Sequence, residues 1–101
     1  MAEMSIVLRD QEVEGSYIFR CGKHYMTRGF INFFSKDVKS YEDKVALASN
    51  VAGKMLDMIS SKYGINADYL QVFDCTYGEE KQKVYVIHDV SLVTFLLSEE
   101  Y

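Results

Sequence analysis

The feature that most constrains the fold is a run of apolar residues spaced three and four positions apart between residues 41 and 63. They are Tyr41, Val45, Ala48, Ala52, Met55, Ile59 and Tyr63. This spacing places them on one side of an α-helix whose other side is polar. Ser40, with Asp43 three residues later, is suited to cap the first turn, and Gly64 to end the helix with a left-handed residue. The sequence predicts a long surface helix over about residues 41–63.

Three short segments before this helix have the composition of β-strands. Residues 5–9, 16–21 and 24–28 are rich in apolar and aromatic side chains. Gly22 and Lys23 fit a two-residue type II′ turn between the second and third segments. We therefore expect an N-terminal meander of three antiparallel strands. The three phenylalanines within residues 30–34 fit a short helical turn and a strand equally well, and that choice stays open.

A second hairpin is expected after the helix, because residues 69–77 and 83–88 flank a polar loop at 78–82. The segment 90–98 is apolar except at positions spaced three and four apart, which predicts a short C-terminal helix with one narrow polar stripe, capped by Asp89. A helix that is apolar around most of its circumference needs cover on more than one side. We therefore assign Leu92, Phe95 and Leu96 to a subunit interface of a homodimer or to the core.

Together these elements predict one α+β domain over residues 1–101. An antiparallel sheet, made of the meander and the second hairpin, would pack against the long helix. The composition supports a folded chain, with 49% apolar and 26% charged residues. No apolar run has the length of a membrane span, and no secretory signal precedes the first strand. With two cysteines, the expectation is a cytoplasmic protein with reduced thiols and no membrane contact.

The charge of the chain is unevenly distributed. Residues 16–39 carry five basic side chains and one acid, a charge of +4, whereas the remaining residues carry −8. Six of the fourteen aromatic residues lie in the same segment. Strand alternation separates Tyr17 and Phe19 from Arg20, so we assign the rings mainly to the core and the charges to a rim around the Gly22-Lys23 turn.

Catalytic and cofactor motifs are not found in the sequence. Gly22-Lys23 lacks the glycine spacing and the hydroxyl residue of a phosphate-binding loop. Cysteine and histidine supply zinc-ligand types at Cys21, His24, Cys75 and His88, but the spacing of the second pair is poor, and whether the four ever meet is left open. We expect no metal, no cofactor and no enzymatic activity.

The charge pattern favours a small non-enzymatic module that binds a protein partner with an acidic surface, as an adaptor or an inhibitor. Compact single-domain chains without catalytic groups are common among regulatory proteins of the phage type, and this analogy is consistent with such a module. The alternative function is binding of single-stranded nucleic acid, in which aromatic rings stack on bases and basic side chains contact phosphates. For partner contact, the candidate residues are Arg20, Lys23, Tyr25, Arg28 and Lys36.

Overall fold

The computed structural model describes residues 3–19 and 23–101, which form an α+β fold with a single mixed sheet of five strands. Short 3-10 turns occupy Gly64–Asn66 and Ser98–Glu100. The other elements, in chain order, are β1 (Met4–Leu8), β2 (Lys23–Met26), α1 (Arg28–Phe33), α2 (Tyr41–Tyr63), β3 (Leu70–Tyr77), β4 (Glu80–Asp89) and β5 (Leu92–Leu97).

The strand order is β1-β3-β4-β5-β2, so the predicted N-terminal meander is wrong. β1 pairs with β3 in antiparallel orientation, and β2 pairs with β5 in parallel orientation. The expected strand over 16–21 is reduced to an isolated bridge between Tyr17 and Ala67, and Arg20, Cys21 and Gly22 lie outside the described residues. Two tight hairpins join β3, β4 and β5, and the N-terminal strands join the opposite edges of this unit instead of pairing with each other.

The predicted C-terminal helix over 90–98 is also wrong, because most of that segment is β5. The helix was preferred to a strand because a strand would carry apolar residues on both of its faces. β5, however, lies between β4 and β2, and Leu96 on its second face is nearly covered by neighbouring side chains, so apolar residues are accommodated on both faces. Only Ser98–Glu100 is helical, as one 3-10 turn.

The second hairpin is confirmed, with a longer second strand and a shorter loop than expected. Tyr77 pairs with Glu80, which leaves a loop of two residues in place of the predicted 78–82. Gly78 opens that loop at φ 64°, a conformation that costs glycine little. The register pairs Cys75 with Gln82, so His88 lies six residues further along β4, about 20 Å away. Cys75 and His88 therefore do not meet.

The long helix is confirmed at Tyr41–Tyr63, and Gly64 ends it at φ 57°. Ser40 occupies the N-cap position, although its side chain makes no capping hydrogen bond. The observed core face of α2 differs from the predicted one at Tyr41, because the side chain of this residue is 72% exposed. The buried residues of α2 are Ala48, Val51, Ala52, Met55, Leu56 and Ile59.

Both helices cover the same face of the sheet. Along β4, Val84, Val86 and His88 are buried on that face, while the residues between them are more exposed. Phe30 and Phe33 lie in α1, and Phe34 is its C-cap. The three phenylalanines, for which the sequence left helix and strand open, therefore belong to a helix. Phe30 lies at the centre of the core, with its ring centroid 4.9 Å from that of Phe34 and 5.5 Å from that of Phe95. Within residues 3–19 and 23–101, no helix packs on the other face, which we call the open face.

Candidate functional site

The structure separates the residues that were expected to contact a partner. Lys23 and Tyr25 lie on β2, and Arg28 is the first residue of α1, so these three are neighbours. Lys36 lies elsewhere, where its ammonium forms an ion pair with Glu80 and stands 4.5 Å from the centroid of the Phe33 ring. Arg20 lies outside the described residues. The candidate site is therefore centred on β2 and the start of α1.

β2 is an edge strand, and half of its main-chain groups point away from the sheet. The amide of Lys23 donates to Ser91 at 2.8 Å, and the amide of Thr27 donates to Phe95 at 3.0 Å, so odd-numbered residues face β5. Because successive residues of a strand direct their N–H and C=O groups to opposite sides, His24 and Met26 direct theirs outward. Such unpaired groups are a template for an additional strand.

A cleft of about 270 Å³ lies beside this free edge. The Tyr25 side chain, which is 57% exposed, and the exposed Tyr41 form two of its walls, and Arg28 adds a positive charge. Ile31 from α1 contributes apolar surface. The free edge of β2 and this cleft together are called the β2 site, and its lining residues are Tyr25, Met26, Arg28, Ile31, Asn32 and Tyr41.

The last turn of the described chain holds the β2 site in place. Glu100 Oε1 accepts hydrogen bonds from Thr27 Oγ1 at 2.6 Å and from the Leu97 amide at 2.8 Å, and its Oε2 accepts one from the Gly29 amide at 3.1 Å. Burial acts to raise the pKa of Glu100, but these three donors together hold the pKa below its ordinary value. The carboxylate is therefore bound in its charged form at the first turn of α1.

An exposed apolar residue in an unusual conformation lies close to the β2 site. Val90, in the two-residue turn between β4 and β5, has φ 55° and an 89% exposed side chain. The next residue, Ser91, accepts the hydrogen bond from the Lys23 amide. A β-branched residue is unfavourable at positive φ, and exposure brings no compensating burial, so Val90 is a candidate for partner contact.

Comparison of this chain with protein-family models, with curated proteins and with solved structures finds no match.

In residues 3–19 and 23–101, no helix combines the length and the apolar character needed to cross a membrane. Within the same residues, no three or more His, Cys, Asp or Glu side chains are grouped so as to hold a metal ion.

The residues assigned to a subunit interface or to the core occupy three different environments. Phe95 is fully buried in the core of this chain, against Phe30. Leu96 lies on the open face and is nearly covered by its neighbours there, which include Tyr85, its partner in the register. Leu92, on the open face at the start of β5, is 38% exposed. Of the three, Leu92 has the largest exposed area available to a second subunit.

The open face of the sheet has an apolar centre and a charged rim. Register and strand alternation place Tyr25, Thr94, Ile87 and Leu70 in one row and Leu96, Tyr85 and Val72 in the next. The ring of Tyr101 contacts that of Tyr85, with centroids 5.5 Å apart. At the rim, Arg9 and Asp74 neutralise each other through two hydrogen bonds of 2.6 and 2.8 Å. The charged strand residues that remain are Lys23, Lys81, Lys83 and Asp89, a net charge of +2 on a chain whose total is −4.

Sequence reasoning missed Tyr41 and Val90 as site residues. Tyr41 matches the apolar spacing of α2, but it is the first residue of the helix and its side chain is exposed instead of buried in the core. Val90 was placed inside a helix that does not form. Asp89 before it and Ser91 after it are residues typical of turns, and that signal could have located the turn.

Proposed function

We propose that this chain is a non-enzymatic protein-binding module that holds an extended acidic segment of another protein as an additional strand beside β2. The observation that carries the proposal is the outward direction of the main-chain groups of His24 and Met26 at an edge strand. Strand addition takes its affinity from such main-chain hydrogen bonds and its specificity from side-chain pockets. Binding of this kind is stoichiometric, as for an adaptor or an inhibitor.

Side chains around the free edge give the proposed partner its chemistry. Lys23 and Arg28 are both exposed, and they favour carboxylates in the bound segment. Tyr25 and Tyr41 offer ring surfaces to apolar or aromatic side chains in the cleft. The expected partner segment therefore alternates acidic residues with apolar ones, because neighbouring side chains of a strand point to opposite faces.

Selection of a random decapeptide display library on the immobilised chain tests this proposal. The expected result is enrichment of peptides with two or more acids and at least one aromatic or branched residue. Proton and nitrogen chemical shifts of His24 and Met26 should change when an enriched peptide is added. Enrichment of basic peptides, or shifts confined to other strands, would contradict the proposal.

Matched variants separate main-chain pairing from side-chain contact. His24→Pro removes one outward N–H, which an edge strand tolerates, whereas His24→Ala removes the ring and keeps the N–H. We expect H24P to weaken peptide binding about tenfold and H24A to have little effect. Arg28→Glu should also weaken binding, while Lys54→Glu, a charge reversal on the exposed side of α2, should not. Equal affinities for all four variants would refute strand addition at β2.

Single-stranded nucleic acid is a second candidate ligand, favoured by the composition of the open face. Lys23 and Tyr25 share that face with Tyr85, and Lys81 and Lys83 lie further along β4. Rings and cations on one sheet surface are the elements of a stacking platform. Affinity for a labelled oligonucleotide should then fall with salt, with a logarithmic slope of about −0.7 for each phosphate contacted. No binding at low salt would exclude this candidate.

The homodimer and the cytoplasmic location are also proposals. Two copies of this chain could pair through the free edges of their β2 strands, in the same way as the proposed peptide. Sedimentation of the wild-type chain and of H24P distinguishes a homodimer paired through β2 from a monomer whose β2 edge binds a different protein. A dimer that H24P converts to monomer supports pairing between copies, and a wild-type monomer leaves the edge to a different protein.

A further inference from the structure

β1 forms a second free edge of the sheet, on the side opposite the β2 site. In the described part of the chain, β3 is the only strand that pairs with β1. The Arg9 amide donates to the Val72 carbonyl at 2.8 Å, so odd-numbered residues of β1 face β3. Successive residues direct their main-chain groups to opposite sides, and the N–H and C=O groups of Met4, Ile6 and Leu8 therefore point outward.

The composition of β1 leaves this free edge unprotected. Proteins commonly block a free edge with a charged side chain, a proline or a bulge. Met4–Leu8 contains no charged residue and no proline, and its register with β3 runs without a bulge. The Val7 side chain is 54% exposed and that of Met4 is 37% exposed. β1 is therefore suited to pair with a further strand.

An apolar groove of about 500 Å³ runs along the same edge. It lies between β1 and α2, and its apolar surface includes Ile6, Leu8 and Met58. Ile6 and Leu8 pack against the core of this chain, but both are only partly buried. Alternate side chains of an added strand would enter the groove on the helix-covered face of the sheet. The apolar area that they remove from water would stabilise the pairing.

We propose that β1 pairs in antiparallel orientation with β1 of a second copy of this chain, with the two Ile6 residues opposite each other. This register aligns the whole strand, because Ile6 is its central residue and Met4 then lies opposite Leu8. The three outward residues form hydrogen-bonded pairs that exchange two bonds each, so six hydrogen bonds join the copies. A two-fold axis at the Ile6 pair closes the assembly as a dimer. Each copy contributes five strands, and the joined sheet is continuous over ten.

Charge complementarity at the two ends of β1 favours a second copy as the occupant. Glu3 and Arg9 lie three residues before and three residues after Ile6, so Glu3 of each copy would lie opposite Arg9 of the other. Strand alternation places both side chains on the open face. Asp74 accepts from Nε and Nη2 of Arg9, and the Arg9 side chain is about half exposed. Its Nη1 atom carries two more N–H donors, which suit the carboxylate of Glu3 in the second copy.

Sedimentation and amide hydrogen exchange of the wild-type chain, measured from about 1 µM to about 500 µM, test this proposal without any peptide, so the β2 site is tested separately. One paired strand makes a small interface, and we expect a dissociation constant of roughly 10 µM. The amides of Met4, Ile6 and Leu8 should become protected from exchange as the dimer forms, and those of His24 and Met26 should not. A monomer at the highest concentration, a dimer without protection in β1, or protection that includes His24 or Met26 would overturn the proposal.

Ile6→Lys tests the centre of the proposed interface. It places two ammonium groups opposite each other at the two-fold axis, so I6K should remain monomeric at about 500 µM. The alkyl stem of lysine can keep part of the contact with the core, and urea unfolding verifies that the variant folds. Val13→Lys is the matched control, because Val13 is exposed and lies outside β1. A folded I6K that dimerises as well as V13K would overturn the proposal.

Glu3→Gln tests the register. It removes both Glu3–Arg9 pairs of the dimer, and since each exposed pair contributes about threefold, the dissociation constant should rise about tenfold. Glu14→Gln is the matched control, because Glu14 is exposed in the loop after β1 and has no place in this register. An unchanged dissociation constant for E3Q, or an equal rise for E14Q, would overturn the proposed register. This comparison and the hydrogen exchange decide the matter if I6K does not fold.

Discussion

Glu100 accepts a hydrogen bond of 2.6 Å from the side chain of Thr27, a residue 73 positions earlier in the chain. Thr27 is the N-cap of α1, and its Oγ1 also accepts from the Phe30 amide at 3.3 Å. One carboxylate thus joins the 3-10 turn after β5 to the residue that connects β2 with α1. Because Arg28 follows Thr27 directly, this link fixes the position of the charged residue in the β2 site.

Replacement of Glu100 by glutamine should destabilise the fold by about 1 kcal/mol, because an amide accepts these hydrogen bonds less strongly than a carboxylate and the group is partly exposed to solvent. The pKa of Glu100 is lowered in the folded chain, so the folded state binds the proton less tightly than the unfolded state. The stabilisation is therefore present above the unfolded pKa and is lost as the pH falls through the folded pKa. Urea unfolding of wild-type and E100Q at neutral and acidic pH measures both effects.

Glu79→Gln is the control for this prediction, since Glu79 is exposed in the turn between β3 and β4. The free energy of unfolding of E79Q should equal that of the wild type at every pH. A difference between wild-type and E100Q that stays constant into acid would show that the carboxylate charge does not stabilise the fold.

Two glycine-to-alanine substitutions should change stability in opposite directions. A Cβ at Gly29 would lie 2.6 Å from the Glu100 carboxylate, which three hydrogen bonds hold in place, so Gly29→Ala should cost about 1 to 2 kcal/mol. A Cβ at Gly53, inside α2, would meet no atom within 4 Å. Gly53→Ala should therefore stabilise the fold by about 0.5 to 1 kcal/mol. Thermal unfolding compares them, and a stabilising G29A would contradict the role of Glu100.

The parts of the fold that depend on local patterns were predictable from the sequence, and strand order was not. The spacing in 41–63 determines α2, and the alternation in β3 and β4 determines a hairpin. The pairing of β1 with β3 joins residues about 70 positions apart, and nothing in either strand specifies its neighbour. β5 was misassigned because a buried strand and a buried helix are both apolar nearly throughout.

The candidate site was predictable in part for the same reason. Lys23, Tyr25 and Arg28 are close in sequence, so any compact fold keeps them near one another. Lys36 is only eight residues after Arg28, but the chain turns at the end of α1, and Lys36 pairs with Glu80, the first residue of β4. That β2 is an edge strand follows from the order of the whole sheet, and this property carries the proposed function.

Cys75 should be unreactive toward thiol reagents in the folded chain. Burial raises the pKa of its thiol to about 12, and the negative charge of Asp74 adds to the rise. At pH 8, roughly one thiol in ten thousand would be ionised, and the thiolate is the reactive form. In the Cys21→Ser variant, maleimide labelling of Cys75 should be negligible in buffer and complete in denaturant. Rapid labelling without denaturant would show that β3 opens readily.

Substitution of Val90 by asparagine should stabilise the fold and weaken peptide binding at the β2 site. Asparagine accepts the positive φ of this turn more readily than valine, so the free energy of unfolding should rise by about 1 kcal/mol. Loss of the exposed apolar side chain should reduce the affinity for the peptides selected on this chain, if Val90 contributes to their binding surface. Urea unfolding and a peptide titration on the same variant measure the two changes.

The Val13→Asn variant provides the comparison, because Val13 is also exposed and apolar but lies in the loop over residues 9–13 at ordinary φ. V13N should leave both the peptide affinity and the strain at position 90 unchanged. A V90N variant that gains stability and keeps full peptide affinity would assign the strain of Val90 to the turn alone. A V90N variant that gains no stability would show that the backbone there relaxes around valine. The first of these outcomes would remove Val90 from the β2 site, while the free edge at His24 and Met26 would still be tested by H24P.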